Sequence, residues 1–483
     1  MTIENPARRT DAMPLEKRRG RESANRTGVE RVLSPARTID VALSMIFFMI
    51  LLLCGVFLVL VSKLRRQQAQ HMKAKRRRLL CLVPATLETL QVKGVADAIL
   101  YRDLDGYFDH VYTVHFPALR DRVVQLSLRH TILEFSQYHF SSLRAFPMMN
   151  LIASEARYLF SLLRLVKTEE ISVIRAQDPY IQGANAFFLS KITGIPFLIS
   201  VHSNYDLTRR STGGLAYRFL RSHRIEKAIE KFVFLRADFV IAISDDNRDF
   251  AIRNGASPNK AATVRLPTFP IHYDETRAPR NLKSELGLKE RKVVLYVGRL
   301  SAEKYPDDVV KCARHVADRR DDVVFLFVGD GPMRDDLQRL TNSIGLAEHV
   351  QILGFEPQER VRDLMYTADV IVSPLMGRAL IEAALSGTPT VAYDVEWHRE
   401  LIRDHDTGLL VPYRDYAAMA KAILWMLDHP SEAKMLGRHA RATAFHQFHP
   451  TTLLKQEIAC FECVLSGGRI EEAPVPAVNS SRS

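Results

Sequence analysis

The stretch SPLMGRALIEAALSGTPTVAYD, residues 373–394, decides how this chain folds. The apolar run ADVIVSP leads into it and closes on a turn signal. GRALIEAALSG then offers small and apolar residues suited to a helix that Gly387 can end. TPTVAYD follows as a second short β-rich run. Strand, loop, helix and strand in that order make a βαβ unit, and such sheets bind ligands where strand C-termini meet helix N-termini. Gly377 is thereby placed where a phosphate would sit.

The same pattern occurs upstream. VVLYVGRL, residues 293–300, ends in Gly298 and Arg299, and Lys304 follows after a short loop. Two cations beside a glycine just past a strand can pair with a diphosphate, Arg bidentately. VVFLFVGDGP is a third strand ending in a glycine loop that contains Gly331. Glu382 is the one acid in an otherwise apolar helical segment, and a carboxylate there can accept hydrogen bonds from ribose hydroxyls. Together these parts describe a nucleotide-diphosphate pocket.

VGRLSAEK, FVGDGP, LGF, ADVIVSP, the G-x-x-x-x-E-A of GRALIEA, SGTPTVAYD and DTGLLVP stand in the order and spacing found in the C-terminal domain of retaining glycosyltransferases of family 4. The chain resembles that family closely over residues 290–425 and more loosely over 79–460. The resemblance implies an α/β fold of GT-B architecture, two Rossmann-like domains facing each other across a cleft. It assigns Arg299 and Lys304 to the leaving diphosphate, Glu382 to the ribose, and the main chain at Gly377, Arg378 and Ala379 to the phosphates, with Leu380 in the same nucleotide-sugar site. Gly298, Gly331 and Phe355 complete the expected nucleotide-sugar site, and His202, just past a strand in VHSNYD, matches a histidine that touches the donor sugar. One position departs: Pro374 stands eight residues before Glu382, where the family has a second Glu that contacts the donor sugar.

The activity so implied is transfer of a sugar from a UDP- or GDP-linked donor to a hydroxyl acceptor with retention of configuration. It needs no cofactor and no metal, because Arg, Lys and helix dipoles neutralise the diphosphate. Two other classes stay open: a catalytically degenerate nucleotide-sugar-binding scaffold, which would account for Pro374, and a nucleotide-sugar epimerase on the same fold.

The 483 residues have an ordinary globular composition, with room for two or three domains. A net charge of +12 points to an anionic partner. Much of that charge lies in the first 78 residues around an apolar segment, which favours an anionic membrane surface over nucleic acid. Residues 41–61, VALSMIFFMILLLCGVFLVLV, carry no charge, and at about 1.5 Å per residue they span roughly 31 Å, enough for a transmembrane helix. Eight Lys or Arg follow in residues 63–78 against five in residues 19–40, which places the catalytic part in the cytoplasm. An anchor beside a transferase suggests a lipid-linked or envelope polysaccharide acceptor.

The expected layout is a disordered basic segment at 1–37, the membrane helix at 41–61 and a first Rossmann-like, acceptor-binding domain at 79–270. A linker at 271–290 leads to the nucleotide-sugar domain at 291–445. A helix at 446–466 crosses back to the first domain, and 467–483 form a disordered tail. Five scattered cysteines imply no disulfide framework, and Cys460 and Cys463 read as one face of a helix rather than a zinc site. Asp103-Leu104-Asp105 reads as a solvated turn, and Asp178-Pro179 as turn chemistry.

Overall fold

The computed structural model describes residues 76–92, 99, 102–137, 147–212, 222–266, 278–375 and 377–467. The expected membrane segment 41–61, the basic segment 1–37 and the tail beyond Gly467 lie outside these. Among the described residues no helix is long and apolar enough to cross a membrane.

The first half is built on an eight-stranded sheet ordered β3-β4-β2-β1-β5-β6-β7-β8. Its elements are β1 (Arg78–Val83), α1 (Leu87–Val92), β2 (His110–Ala118), β3 (Arg122–Ser127), β4 (His130–Ser136), α2 (Pro147–Thr168), β5 (Val173–Ala176) and α3 (Ile181–Thr193). They continue with β6 (Phe197–Val201), α4 (Tyr205–Thr212), α5 (His223–Phe234), β7 (Phe239–Ala242), α6 (Asp245–Arg253) and β8 (Ala261–Thr263). All pairs are parallel except β3 with β4. A parallel sheet must be covered on both faces, so its central strands are apolar throughout. In β1, Leu80 and Leu82 pack under α2, α3 and α5, whereas Leu79, Cys81 and Val83 face the other way.

The second half carries six parallel strands ordered β11-β10-β9-β12-β13-β14. Its elements are β9 (Lys292–Val297), α7 (Pro306–Ala317), β10 (Val323–Val328), α8 (Arg334–Ser343), β11 (Val350–Gly354), α9 (Gln358–Thr367), β12 (Val370–Ser373) and α10 (Arg378–Ser386). β13 (Thr390–Tyr393), α11 (His398–Leu401), β14 (Leu409–Val411), α12 (Tyr416–Asp428), α13 (Pro430–Gln447) and α14 (Pro450–Ser466) complete it. One face packs on α7 and α12 and the other on α9 and α10. Strand order reverses between β9 and β12, and in the first sheet between β1 and β5. These are the places where an open parallel sheet leaves a crevice for ligand.

The last helix belongs to the first sheet. Cys460, Phe461, Cys463 and Val464 of α14 lie in the core formed by Leu79, Cys81 and Phe108, and the Phe461 ring meets Phe108 edge-on at 4.9 Å. Both cysteines are buried and outside any disulfide, on a helix as expected.

Two features depart from the sequence reading. Residues 278–290, assigned to a linker, already build on the second core: Leu282 and Leu288 are 1% and 4% exposed. The charges of NLKSELGLKERK hide those leucines, and the Leu282 amide is held by Thr367 at 3.0 Å. The β3–β4 hairpin was not anticipated, because it is an antiparallel addition to an alternating strand–helix pattern. Asp103–Asp105 does form a turn, with Leu104 and Asp105 at φ of 51° and 55°. Asp178 Oδ1 accepts from the Tyr180 amide at 2.7 Å, an Asx turn.

Candidate active site

The second sheet presents Arg299 and Gly377 on either side of its switch point, since they follow the adjacent strands β9 and β12. The loops beneath Arg299 are joined backbone to backbone: the Leu300 amide donates to Asp330 O at 3.0 Å and the Met333 amide to Leu300 O at 2.9 Å. That approach requires glycine at two points. A Cβ on Gly329, at φ +133°, would lie 2.0 Å from Gly298 O, and one on Gly331 would lie 2.4 Å from Leu300 O. Gly331 therefore shapes the loop, and Arg299 stands exposed on a rigid support.

Gly377 caps α10. The first amides of a helix have no carbonyl one turn back, so those at Arg378 and Ala379 are suited to an anion. Leu380, also expected in the nucleotide-sugar site, has a fully buried side chain, and its amide donates to Gly377 O at 3.1 Å. One turn into α10, Glu382 is 4% exposed. Burial raises its pKa, opposed by a hydrogen bond from the Gln358 side chain and by the nearby Arg378. Arg378 is half-buried, and burial lowers its pKa against the pull of Glu382. Pro374 is buried at the end of β12 beside Ser373, whose hydroxyl has no partner among the described residues. Phe355 is 77% exposed beyond β11, two strands from Arg299, at the margin of this group.

Lys304 closes a short 3-10 turn, Ala302–Lys304, before α7. Burial lowers its pKa, countered first by Glu396 and then by Glu303. Glu396 holds a left-handed backbone at φ 49°, unusual for a side chain with a Cβ. Its carboxyl is raised by burial, lowered by Lys304 and raised again by Asp246 of the first domain. Glu396 thus faces an opposite charge, Lys304, in its own half and a like charge, Asp246, across the junction.

A junction between the two halves forms at Glu400 on α11. Its carboxylate accepts from the Asp245 and Asp246 amides at 3.0 and 2.9 Å, the first turn of α6, and pairs with Arg265 at 3.1 Å. An acid at a helix N-terminus meets both free N–H groups and the positive end of the dipole. Beside it opens a shallow crevice whose walls include Ser244 and Arg265 from one half and Gly377, Arg378 and Trp397 from the other.

His202 lies beyond β6. The residue is exposed, and desolvation, then the charges of Arg175 and Arg102, lower its pKa. The imidazole is therefore neutral. Two residues on, the Asn204 side-chain Nδ2 donates to Asp246 Oδ2 at 3.0 Å, which links the His202 loop to the acid facing Glu396.

The structure thus groups Arg299, Gly377, Arg378, Ala379 and Glu382 at one switch point, sets Lys304 beside Glu396, and places His202 on the opposing half. Sequence reasoning missed Glu396, Glu400, Asp246 and Arg265. EWHREL reads only as a polar surface turn, and no periodicity marks a residue whose partners are more than 130 positions away. Among the described residues no group of three or more His, Cys, Asp or Glu could hold a metal ion.

Comparison with known proteins bears on the family and the fold. Residues 279–443 match the family described as Glycosyl transferases group 1, and residues 110–266 match Glycosyltransferase Family 4. An alpha-D-kanosaminyltransferase of Streptomyces kanamyceticus is 31% identical over 268 residues, which is 53% of this chain and 69% of that protein. A D-inositol 3-phosphate glycosyltransferase of Nocardia farcinica is 32% identical over 234 residues, 44% of this chain and 50% of its own. Among solved structures, Anabaena HepE in complex with UDP superposes with a TM-score of 0.62 at 19% identity, covering 80% of this chain and 99% of that one. Sucrose-phosphate synthase from Thermosynechococcus elongatus gives 0.64 at 19% identity, covering 81% and 100%. At such identities these two show the shared two-domain fold.

Proposed function

Because the chain belongs to the family of group 1, family 4 glycosyltransferases, we propose that it moves a sugar from a UDP- or GDP-linked donor to a hydroxyl acceptor, with retention of configuration. The observation that carries the reading is the pairing, at one switch point, of Arg299 and the α10 N-terminus with a buried carboxylate, Glu382, one turn below. The first two suit a diphosphate and the third suits ribose hydroxyls.

In this reading the diphosphate lies between Arg299, Lys304 and the Gly377–Ala379 main chain. As the bond to the sugar breaks, negative charge grows on the leaving phosphate, and preorganised donors act most strongly there. Arriving phosphate also favours the charged form of Lys304, which burial alone disfavours. The acceptor hydroxyl attacks from the face the leaving group vacates and passes its proton toward the departing phosphate, so no protein nucleophile is required. Neutral His202 can hydrogen-bond the donor sugar without adding charge. The diphosphate's charge is met by these groups rather than by a metal. A membrane anchor at 41–61, a cytoplasmic active site, contact of the basic run with anionic lipid and a lipid-linked or envelope acceptor belong to the same proposal, supported by the sequence pattern.

Buried Pro374 favours a second reading, a nucleotide-sugar-binding protein without turnover. A thermal-shift screen of nucleotide sugars, followed by assay of the stabilising donor for release of nucleoside diphosphate, separates the two. Stabilisation with turnover supports the transferase, stabilisation without turnover on any hydroxyl acceptor supports the binder, and no stabilisation by any nucleotide sugar refutes both.

A further inference from the structure

Three residues at the ligand edge of the second sheet hold a left-handed backbone without being glycine: Tyr305 at φ 51°, Glu396 at φ 49° and Arg414 at φ 65°. They lie beyond β9, β13 and β14, in a conformation that is costly for any residue with a Cβ. Tyr305 is next in sequence to Lys304 and joins the Ala302–Lys304 turn to α7. That turn is a closed unit, since the Lys304 amide donates to Ser301 O at 2.8 Å and the Tyr305 amide to Ala302 O at 3.3 Å. Its direction relative to α7 is set by φ and ψ of Tyr305, 51° and 43°. Glycine would take that conformation freely, yet a tyrosine stands there.

The contacts of the ring show what the side chain adds. Tyr305 is 7% exposed, and its hydroxyl shares 2.5 Å with that of Tyr413, just past β14. The Tyr413 ring meets it edge-on at 5.7 Å, and the Arg414 guanidinium lies over its face at 4.4 Å. Arg414 in turn forks Asp308, with Nε 2.8 Å from Oδ2 and Nη2 3.0 Å from Oδ1. Asp308, 1% exposed in the first turn of α7, also accepts from the Tyr393 hydroxyl at 3.1 Å. Two strained residues from distant loops are thus bound face to face, and both are tied to the start of α7. Lys304 is half-buried, and among the described residues no carboxylate lies within ion-pair distance of its ammonium. Where that ammonium reaches is therefore set by the backbone beneath it.

We propose that Tyr305, locked by Tyr413 and Arg414, is a positioning residue that aims Lys304 at the donor diphosphate. This rests on the transferase reading above, which puts Lys304 on that diphosphate. With the lock intact, the ammonium is in place before the ligand arrives. Without it, the turn pivots at residue 305, and the cation has to be ordered as the ligand binds.

The test uses the full chain in neutral detergent micelles, titrated with UDP and UMP and with GDP and GMP, and follows the pair that binds. The ratio of diphosphate to monophosphate affinity isolates the second phosphate, because base, ribose and first phosphate are common to both. Lys304→Ala should lower that ratio about tenfold, as loss of a charge-assisted bond requires. Tyr305→Gly should lower it severalfold and leave monophosphate affinity unchanged, although glycine relieves the backbone. Tyr305→Phe, which keeps the ring under Arg414, should restore most of it. In the Lys304→Ala background Tyr305→Gly should have no further effect, since no ammonium remains to be aimed. Tyr413→Ala, at a residue 45% exposed, gives the same reading if the glycine variant does not fold. A ratio that responds to Lys304→Ala but to neither Tyr305→Gly nor Tyr413→Ala overturns the positioning role and leaves the transferase reading standing. Equal loss of monophosphate and diphosphate affinity, or an undiminished effect of Tyr305→Gly in the Lys304→Ala background, also overturns it, because a merely structural role acts that way. A ratio unmoved by Lys304→Ala, or no nucleotide binding by the unaltered chain, overturns instead the site on which the transferase reading stands.

Discussion

Replacing Glu400 by alanine should loosen the junction between the two halves without unfolding either. The carboxylate makes three contacts, with the Asp245 and Asp246 amides and with Arg265, and its side chain is 12% exposed. Bonds to a charged group contribute about 1.5–3 kcal/mol each when isolated. The sum overstates the loss here, because Arg265 keeps Asp245 at 3.1 Å and Ser244 still caps the Asn247 amide at 3.1 Å. A net cost of about 2 kcal/mol is reasonable, confined to the junction, which corresponds to about thirtyfold in a local opening equilibrium. Hydrogen exchange resolved to single amides reads it directly. Asp245 and Asp246 should exchange about thirtyfold faster in the variant, while Ile199 and Val240, in the middle of β6 and β7, should not change. Unaltered protection at Asp245 and Asp246 in a folded Glu400→Ala protein would refute the latch.

Arg299→Ala should lower turnover far more than donor affinity, because an exposed cation on a rigid loop acts mainly on charge that grows in the transition state; equal losses in kcat and affinity would contradict this. Glu457→Ala leaves Arg175, 12% exposed, without its acid, and should cost about 3–5 kcal/mol in denaturant melts. Burial lifts the Glu155 carboxyl to about 7 from an ordinary 4.5, against a hydrogen bond from Asn185 and with help from Asp178. The native state therefore holds this proton more tightly than the unfolded chain. Its contribution is full below pH 4.5 and is lost as pH rises to 7, by about 3 kcal/mol if Glu155 acts alone. Glu155→Gln should flatten that part of the stability–pH curve, and an unchanged slope would count against the assignment.

Much of this architecture can be read from the chain before any coordinates. Parallel strands buried on both faces must be continuous apolar runs, and LLCLV, VVLYV and VVFLFV are such runs. Loop glycines after β9 and β10 mark close backbone approach, and the charged residues just beyond them mark a ligand edge. Pairwise tertiary facts leave no such trace. Nothing local distinguishes Glu400 from the acids around it, and Arg102 lies in a polar turn segment whose neighbour across the sheet, Thr113, is eleven residues away. Leu282 and Leu288 are hidden for the opposite reason, since the surrounding charges outweigh them in composition. Phe355 and Leu380 rest on the resemblance of motifs, which does not report which way a side chain points.

The claim at the centre of this account is that the second sheet's switch point holds a nucleoside diphosphate, with Glu382 on the ribose. Titration of the Glu382→Gln protein with UDP or GDP, whichever stabilises the unaltered chain, tests it most directly. Glu382 is 4% exposed and already bonded by Gln358, so the amide can keep the fold while losing the charged acceptor. Affinity should fall by about 1–3 kcal/mol, for the bare diphosphate and for the nucleotide sugar alike. Undiminished nucleoside diphosphate affinity in a folded Glu382→Gln protein would contradict the assignment of this pocket.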